Sequence, residues 1–522
     1  MGIYVNPGNI NFNKCLKDEI FVDKSLILRE LNKKLGTNSF FLCVSRPRRF
    51  GKTVTESMME AYYSRGCNSS ELFKNLKISK DPTYEEHLNK YNVIHIDLGT
   101  FYNRFHGETI KMMTKEIVEE LAEEFQDIKF DGYDLPRSIS AVYKKTQIPF
   151  VIMFDEYDCL IREKVKKELL EEYLSLLNSL FKSSSTSSCI ALAYLTGILP
   201  IVREKVQSKL NNFREYTIIN SGNLAGMIGF TESEVQKICD DYSLDYEECK
   251  RWYNGYTLNG INLYTPQSVV FAAESGECDN YWTQTSSYKA ISDYIELDLE
   301  GIRNDIRKMI SGEEVEVDVT KYINTFDTED FKRKDDVFTY LIHLGYLAYN
   351  KQNKTCRIPN YEIKKEWVNT IEVTKGYENI IKLIKESKEL LEATWHGDST
   401  KVAGNLSSTH SILTSPLSYN NEKSFQSAIR LAYFYADSYY TIISELPTGK
   451  GYADIAFIPY KPNIPVMLVE LKVDDSVNTC LDQIKNKNYP EILEKYKDNL
   501  LLVGISYDKK TKEHKCRIEK CC

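Results

Sequence analysis

Short apolar runs alternate with longer stretches of helical spacing through the N-terminal part of the chain. After IFVDKS (20–25) and a helical stretch at 26–35, the run at 40–45 leads into a helical segment at 53–63. The run at 93–98 precedes amphipathic segments at 108–125 and 138–145. A third run, 149–154, is followed by a helix over 164–181. A fourth lies at 190–195, after a serine-rich loop, SSSTSS, at 183–188. Runs that are apolar at nearly every position predict strands buried on both faces. Their alternation with helices predicts a parallel, doubly wound α/β sheet.

From 223 the pattern turns helical, through GFTESEVQKICDDYSLDYEECKRWYNGY. The Trp252-Tyr253 cluster reads as core. The segment 336–347 predicts an amphipathic helix ending at Gly345, and YLAYN and TCRIPN after it predict a hairpin. Helix then hairpin predicts a winged-helix-like lid. Residues 376–412 read as a helical linker. The last part returns to α/β: a helix at 422–435, strands within 443–457 and 465–473, and a helix carrying Asp482-Gln483-Ile484.

A chain of 522 residues holds more than one domain. The boundaries expected are 1–222, 223–375, 376–415 and 416–522. The net charge of −8 excludes passive polyanion binding, so nucleic-acid contact needs a local basic patch. The mixed signs at 303–308 and 327–336 provide no clean phosphate-tracking stripe. Thirteen cysteines without paired spacing suit a reducing compartment. The start, MGIYVNPGN, shows no secretory pattern, and Asn6 denies Gly2 a myristoylation context. No apolar run reaches membrane-spanning length. The terminal Cys521-Cys522 pair, with no histidine or acidic cluster beside it, reads as a polar tail. The expectation is a soluble, cytoplasmic protein without a membrane partner.

The first candidate chemistry is SRPRRFGKT at 45–53. Strand, tight loop with Gly-Lys-Thr, then helix is the context of a phosphate-binding loop. Backbone N–H groups at the helix start face a phosphate, Lys52 reaches the outer phosphates and the Thr53 hydroxyl ligates Mg²⁺. Arg46 stands where the usual pattern has its first glycine. The strand VIMFDEYD (151–158) ends in two carboxylates. Asp155 would hold Mg²⁺ through water and Glu156 would polarise the attacking water. The 93–98 strand, between the loop strand and the acidic strand in sequence, fits the NTPase class with an extra strand inserted between those two. The strand ending in Thr196 would then be the sensor strand.

The second candidate chemistry lies in 416–522. Glu470 and Lys472 are two apart on a strand and share a face. Asp454 begins the preceding strand, and YKPNIP turns between them. Asp followed by Glu-x-Lys is the PD-(D/E)xK pattern. Asp454, Glu470 and the Leu471 carbonyl would hold Mg²⁺, which polarises a scissile phosphate and activates water; Lys472 would orient that water or offset developing charge. Glu422 would add an acid from the first helix and Gln483 would brace the site from the last. PVMLVEL is strongly apolar, so Glu470 ends a buried strand and needs a reason to be charged. Gly449 and Gly451 stand where backbone approaches closely.

VDKS at 22–25, SRPRRFGKT, VIMFDEYD, LTG at 195–197, WYNGY at 252–256 and YTPQSVV at 264–270 resemble the bacterial AAA-ATPase-like proteins with an RPRRFGK[ST] loop. That family also carries Arg in place of the first Gly. GKGYADIAFIP, VELK, DQIKNKNY and LLVGISYDKKTKEHKC resemble the PD-(D/E)xK domain that accompanies it. Gln426 departs from the His of many relatives, and Ser25 and Ile198-Leu199-Pro200 are milder departures. The resemblance implies ATP and Mg as cofactors. Its nucleotide contacts map to Arg46, Pro47, Arg48, Arg49, Phe50, Gly51, Lys52, Thr53, Asp155 and Thr196. The C-terminal set is Glu422, Asp454, Glu470, Leu471, Lys472 and Gln483.

Three functions compete: an ATP-controlled, Mg-dependent DNA nuclease, in defence or mobile-element control; a nucleotide switch whose nuclease-like domain only binds nucleic acid or protein; and a small-molecule kinase, which the Asp155-Glu156 pair and the second metal pattern disfavour. Arg203, Arg48 and Arg49 are arginine-finger candidates. A finger acting in trans would require a homo-oligomer.

Overall fold

The computed structural model of the protein describes residues 2–201, 210–282, 289–321, 331–413, 422–448, 451–460, 463–485 and 499–520. Packing groups the chain into two compact units, Met1–Ser286 with Glu316–Ile363, and Ser287–Val315 with Lys364–Cys522.

The first unit is built on a five-stranded sheet. Its strands are β1 (Phe41–Ser45), β2 (Asn92–Asp97), β3 (Phe150–Asp155), β4 (Ile190–Gly197) and β5 (Arg214–Tyr216), in the order β2-β3-β4-β1-β5. Every pairing is parallel. β1, β3 and β4 are buried at every residue, which is why their sequences are apolar without alternation. The strand that separates β1 from β3 in space is β4; β2 lies at the sheet edge, beside β3. Helix Thr109–Glu124 buries Ile110, Met113, Ile117, Val118 and Leu121, a stripe of helical spacing packed in the sheet's core. The serine-rich stretch expected as a loop contains one helical turn, Ser184–Ser187, with Thr186 buried and the Ser187 amide on the Ser183 carbonyl at 2.9 Å.

Downstream in this unit, helix Glu232–Tyr242 starts in a Thr231/Glu234 capping box, and Asp245 caps helix Tyr246–Tyr253 by accepting from the Glu248 amide at 2.7 Å. Trp252 and Tyr253 are buried as core. Helix Lys334–Leu344 ends at Gly345, whose φ of 90° is the left-handed cap glycine supplies at least cost. The antiparallel hairpin Ala348–Asn350 with Thr355–Arg357 follows, as the winged-helix-like pattern predicts.

The second unit carries a five-stranded mixed sheet: β6 (Tyr440–Thr448), β7 (Gly451–Pro459), β8 (Val466–Val473), β9 (Leu500–Asp508) and β10 (Glu513–Lys520), in that order. Only β8 and β9 pair in parallel, joined through helix Val477–Lys485. Helices Glu378–Trp395 and Ser399–Leu413, expected as a linker, pack on this sheet. Trp395 Nε1 donates to the Tyr440 hydroxyl at 2.6 Å, and the Ile518 amide donates to Ser399 Oγ at 3.1 Å. Arg203, Gly449, Cys521, Cys522 and part of the YKPNIP turn lie outside the described residues. No helix among the described residues is long and apolar enough to cross a membrane.

Candidate nucleotide and metal sites

In the first unit β1 runs into the loop 46–51 and then helix Lys52–Tyr63. Gly51 starts that helix at φ 85°, with nothing within 4 Å of where a Cβ would sit, so the left-handed turn rather than crowding calls for glycine. Lys52 Nζ is tied back onto the loop, to the carbonyls of Arg46 (3.1 Å) and Pro47 (2.9 Å). Burial pulls its ammonium below the ordinary lysine value, opposed by the carboxylates of Asp155 and Asp158. Thr53 Oγ1 lies 3.3 Å from Asp155 Oδ2, bringing together the two groups expected to share a cation. Asp155 Oδ1 accepts the Glu156 amide at 2.8 Å.

A cavity of about 760 Å³ opens from this point. Arg48, Arg49, Phe50, Gly51, Lys52, Thr53, Asp155 and Glu156 line one part of it. Phe12, Phe21, Ile228, Phe230 and Val270 give the remainder an apolar wall. The lining thus combines phosphate donors with aromatic and aliphatic carbons, the two chemistries a nucleotide presents. The apolar wall escaped sequence reasoning because it joins residues far apart in the chain.

Arg46, Pro47 and Thr196, expected among the nucleotide contacts, do not line the cavity. Arg46 is fully buried, and its guanidinium donates to the carbonyls of Ser45 (2.9 Å), Tyr216 (3.1 Å) and Leu224 (3.2 Å). A Cβ on Gly345 would fall 2.7 Å from Pro47 Cβ, so that glycine permits their contact. The buried Thr196 hydroxyl donates to the Val44 carbonyl at 2.9 Å, spending itself on β1. Arg49 reaches the Tyr281 carbonyl at 2.5 Å and lies over the Trp282 ring.

Sequence reasoning also passed over a buried group behind Asp155. Glu56 is fully buried, and burial together with Asp155 pushes its carboxyl well above the usual range. Glu60 pairs with His95 at 2.5 Å. The signal was present: Glu56 and Glu60 interrupt a helix segment buried from Thr55 to Tyr63. Asp158 and Arg162 form a second overlooked pair, 3.1 Å apart.

In the second unit β7 and β8 are antiparallel, with Ile455 opposite Val469, so the register carries Asp454 to the level of Glu470. Asp454 Oδ2 accepts the Leu471 amide at 2.7 Å. Gln426, from helix Glu422–Ala432, donates through Nε2 to the Asp454 carbonyl at 2.5 Å. It thus holds the strand that bears the first acid. Glu470 is 1% exposed, and Lys472 Nζ approaches its Oε1 at 3.5 Å. Gly504 lies beside Glu470 in the parallel register; a Cβ there would meet Cys480 Cβ at 2.9 Å, so the glycine lets helix Val477–Lys485 close on the strand. Gln483 is half-buried on that helix. Glu422 opens its own helix, and its side chain lies outside the described residues. Among the described residues no group of three or more His, Cys, Asp or Glu side chains is arranged to hold a metal ion. A cation here would rest on two carboxylates, the Leu471 carbonyl and water, hard oxygen donors that fit Mg²⁺.

Residues 8–207 match the family model described as predicted AAA-ATPase, and residues 420–516 match that of the PD-(D/E)XK nuclease superfamily. These two matches bear out the resemblance to AAA-ATPase-like proteins that carry a C-terminal PD-(D/E)XK-nuclease-like domain. An uncharacterized protein in the vnfD 5' region of Azotobacter chroococcum mcd 1 is 21% identical over 520 residues, covering 94% of this chain and 93% of that protein. Among solved structures, the Aeropyrum pernix ORC2 protein aligns at 12% identity and TM-score 0.34, over 68% of this chain and 96% of its own. A STAND protein with a tetratricopeptide repeat sensor from Pyrococcus horikoshii aligns at 13% and TM-score 0.24, over 79% of this chain and 48% of its own.

Proposed function

We propose that the protein binds and hydrolyses ATP at the Lys52 cavity, and that this controls a Mg²⁺-dependent DNA nuclease centred on Asp454, Glu470 and Lys472. The observation that carries the reading is Glu470. A carboxylate 1% exposed within an apolar strand is costly, and a site with Asp454 at its level and Lys472 at 3.5 Å supplies the reason for it. In the nucleotide cavity Lys52 exchanges its loop carbonyls for phosphate oxygens, Thr53 and Asp155 hold Mg²⁺, and Glu156 orients water. In the C-terminal site Asp454, Glu470 and the Leu471 carbonyl hold Mg²⁺, which supplies a Lewis acid for the scissile phosphate. Lys472 then steadies the developing negative charge. Control of foreign or mobile DNA is the role such a coupled pair serves.

The test compares wild type, Lys52→Ala and Lys472→Ala in cleavage of single- and double-stranded DNA, with and without ATP and Mg²⁺. Lys472→Ala is expected to lose cleavage and keep ATP hydrolysis. Lys52→Ala is expected to lose the thermal shift given by ATP and the ATP dependence of cutting. No cleavage of any substrate by wild type refutes the nuclease half. Gln426, bonded to the Asp454 carbonyl where many relatives carry His, favours the second reading in that case: a nucleotide switch whose C-terminal domain binds nucleic acid or protein without cutting.

A further inference from the structure

The groups around Glu156 hold it rather than free it. Glu156 follows Asp155 with φ 49°, a left-handed conformation that a non-glycine residue keeps only where its surroundings impose it. Its Oε2 accepts from Arg162 Nη2 at 3.1 Å. The same oxygen lies where it would be 2.5 Å from a Cβ on Gly99, so that glycine makes room for the carboxylate. Arg162 is itself fixed, because its Nε donates to Asp158 Oδ2 at 3.1 Å and Asp158 is fully buried. That Asp158 oxygen also accepts the amides of Ile198 (3.1 Å) and Leu199 (2.8 Å), immediately beyond β4. Gly197 opens the space, since a Cβ there would meet Asp158 Oδ1 at 2.4 Å. One continuous set of contacts therefore runs from the end of the expected sensor strand, through Asp158 and Arg162, to the carboxylate of Glu156.

We propose that Arg162 is a positioning residue that withholds Glu156 from the attacking water, and that the Ile198–Leu199 turn sets this hold through Asp158. The inference rests on the reading that the cavity hydrolyses ATP with Glu156 orienting the water. A carboxylate oxygen that accepts from a guanidinium is directed at the cation and away from water. Hydrolysis needs it turned toward water. A shift of the turn after β4 loosens Asp158, then Arg162, then Glu156, so a change at the strand end reaches the water-orienting group without a separate messenger.

The experiment is steady-state ATP hydrolysis by the full chain with Mg²⁺, alongside ADP binding by calorimetry. Arg162→Met is expected to raise kcat several-fold with KM and ADP affinity within about twofold of wild type. Arg162→Lys, which keeps a cation beside Glu156, is expected to give a smaller rise. Because Arg162→Met strands a buried carboxylate, Asp158→Asn/Arg162→Met is made in parallel; it removes both charges, keeps a carbonyl acceptor for the two amides, and is expected to show the same rise. Adding Glu156→Gln to Arg162→Met is expected to abolish hydrolysis. A lowered or unchanged kcat in both Arg162→Met proteins overturns the proposal, as does a raised rate that survives Glu156→Gln. Hydrolysis absent from wild type and all variants overturns the ATPase reading itself, and this proposal with it.

Discussion

Replacing Arg46 tests what the unusual loop is for. If the arginine compensates for a missing phosphate-loop glycine by touching nucleotide, Arg46→Gly should restore an ordinary loop and leave the fold intact. The geometry argues the reverse. The guanidinium is fully buried and donates to three backbone carbonyls, those of Ser45, Tyr216 and Leu224. Hydrogen bonds from a charged donor contribute roughly 1.5–3 kcal/mol each. Burying the cation costs several kcal/mol in return. Truncation to glycine removes the three bonds, regains the desolvation cost, takes a donor from each carbonyl, of which Leu224's keeps the Met227 amide, and adds backbone entropy to the unfolded chain. The net loss is about 3 kcal/mol, which at about 2.1 cal/mol/K of unfolding entropy per residue lowers the Tm of a unit of this size by roughly 4 °C. The assay is thermal unfolding of the nucleotide-free protein, with Arg46→Lys as a second variant. Lysine keeps the charge but lacks the planar fork that meets several carbonyls at once, so it recovers little. An Arg46→Gly protein that melts with wild type yet binds ATP more weakly would refute the reasoning.

Three further outcomes follow from the same contacts. Burial pushes the Glu362 carboxyl up to about 7 from an ordinary 4.5, so the folded state keeps its proton to higher pH than the unfolded chain. The associated stability is full below about pH 4.5 and is lost as pH rises through 7. Glu362→Gln, read by urea unfolding at pH 5 and pH 8, is expected to flatten that slope and to be the more stable protein at pH 8, by at most ~3 kcal/mol. Gly255→Ala places a Cβ 2.0 Å from the Pro359 carbonyl oxygen at a φ of 124°, and a loss of about 3 kcal/mol or failure to fold is expected; wild-type unfolding would show the approach to be relaxed. Gly504→Ala pushes helix Val477–Lys485 off β9, the strand beside Glu470, so cleavage is expected to fall at least tenfold while ATP hydrolysis persists; undiminished cleavage counts against that helix bracing the site.

Much of the architecture was legible because burial on both faces leaves a plain trace. β1, β3 and β4 are apolar without interruption, and each acidic or glycine-rich strand end marks where the chain leaves the sheet. The Asp454–Glu470 pairing could be read from the spacing of two strands joined by a turn. What stayed hidden depends on long-range contact. The spatial order of the strands, with β4 rather than β2 between β1 and β3, is not encoded in local periodicity. The helices at 378–413 carry an ordinary amphipathic pattern that fits a linker as well as the packed layer they form. The side chains of SRPRRFGKT could not be sorted into phosphate contacts and packing contacts, because basic residues beside a phosphate loop suit either purpose and their partners lie far downstream.

Those partners change what the loop is. Arg46 holds the carbonyls of Tyr216 and Leu224, Pro47 rests against Gly345, Arg49 reaches the Tyr281 carbonyl and the Trp282 ring, and Phe50 meets the Tyr256 ring edge-on at 5.3 Å. Tyr256 in turn donates to the Gly345 carbonyl at 2.6 Å. The loop is thus fastened along most of its length to Tyr216, Leu224, Tyr256, Tyr281, Trp282 and Gly345, all far downstream. Arg48, Gly51, Lys52 and Thr53 line the cavity, and Lys52 rests on the carbonyls of Arg46 and Pro47, the residues most firmly fastened. On the proposed reading, a nucleotide that drew Lys52 from those carbonyls would remove two of the bonds that bracket the loop. In such a loop arginine serves where glycine cannot, because glycine has nothing with which to hold the other side.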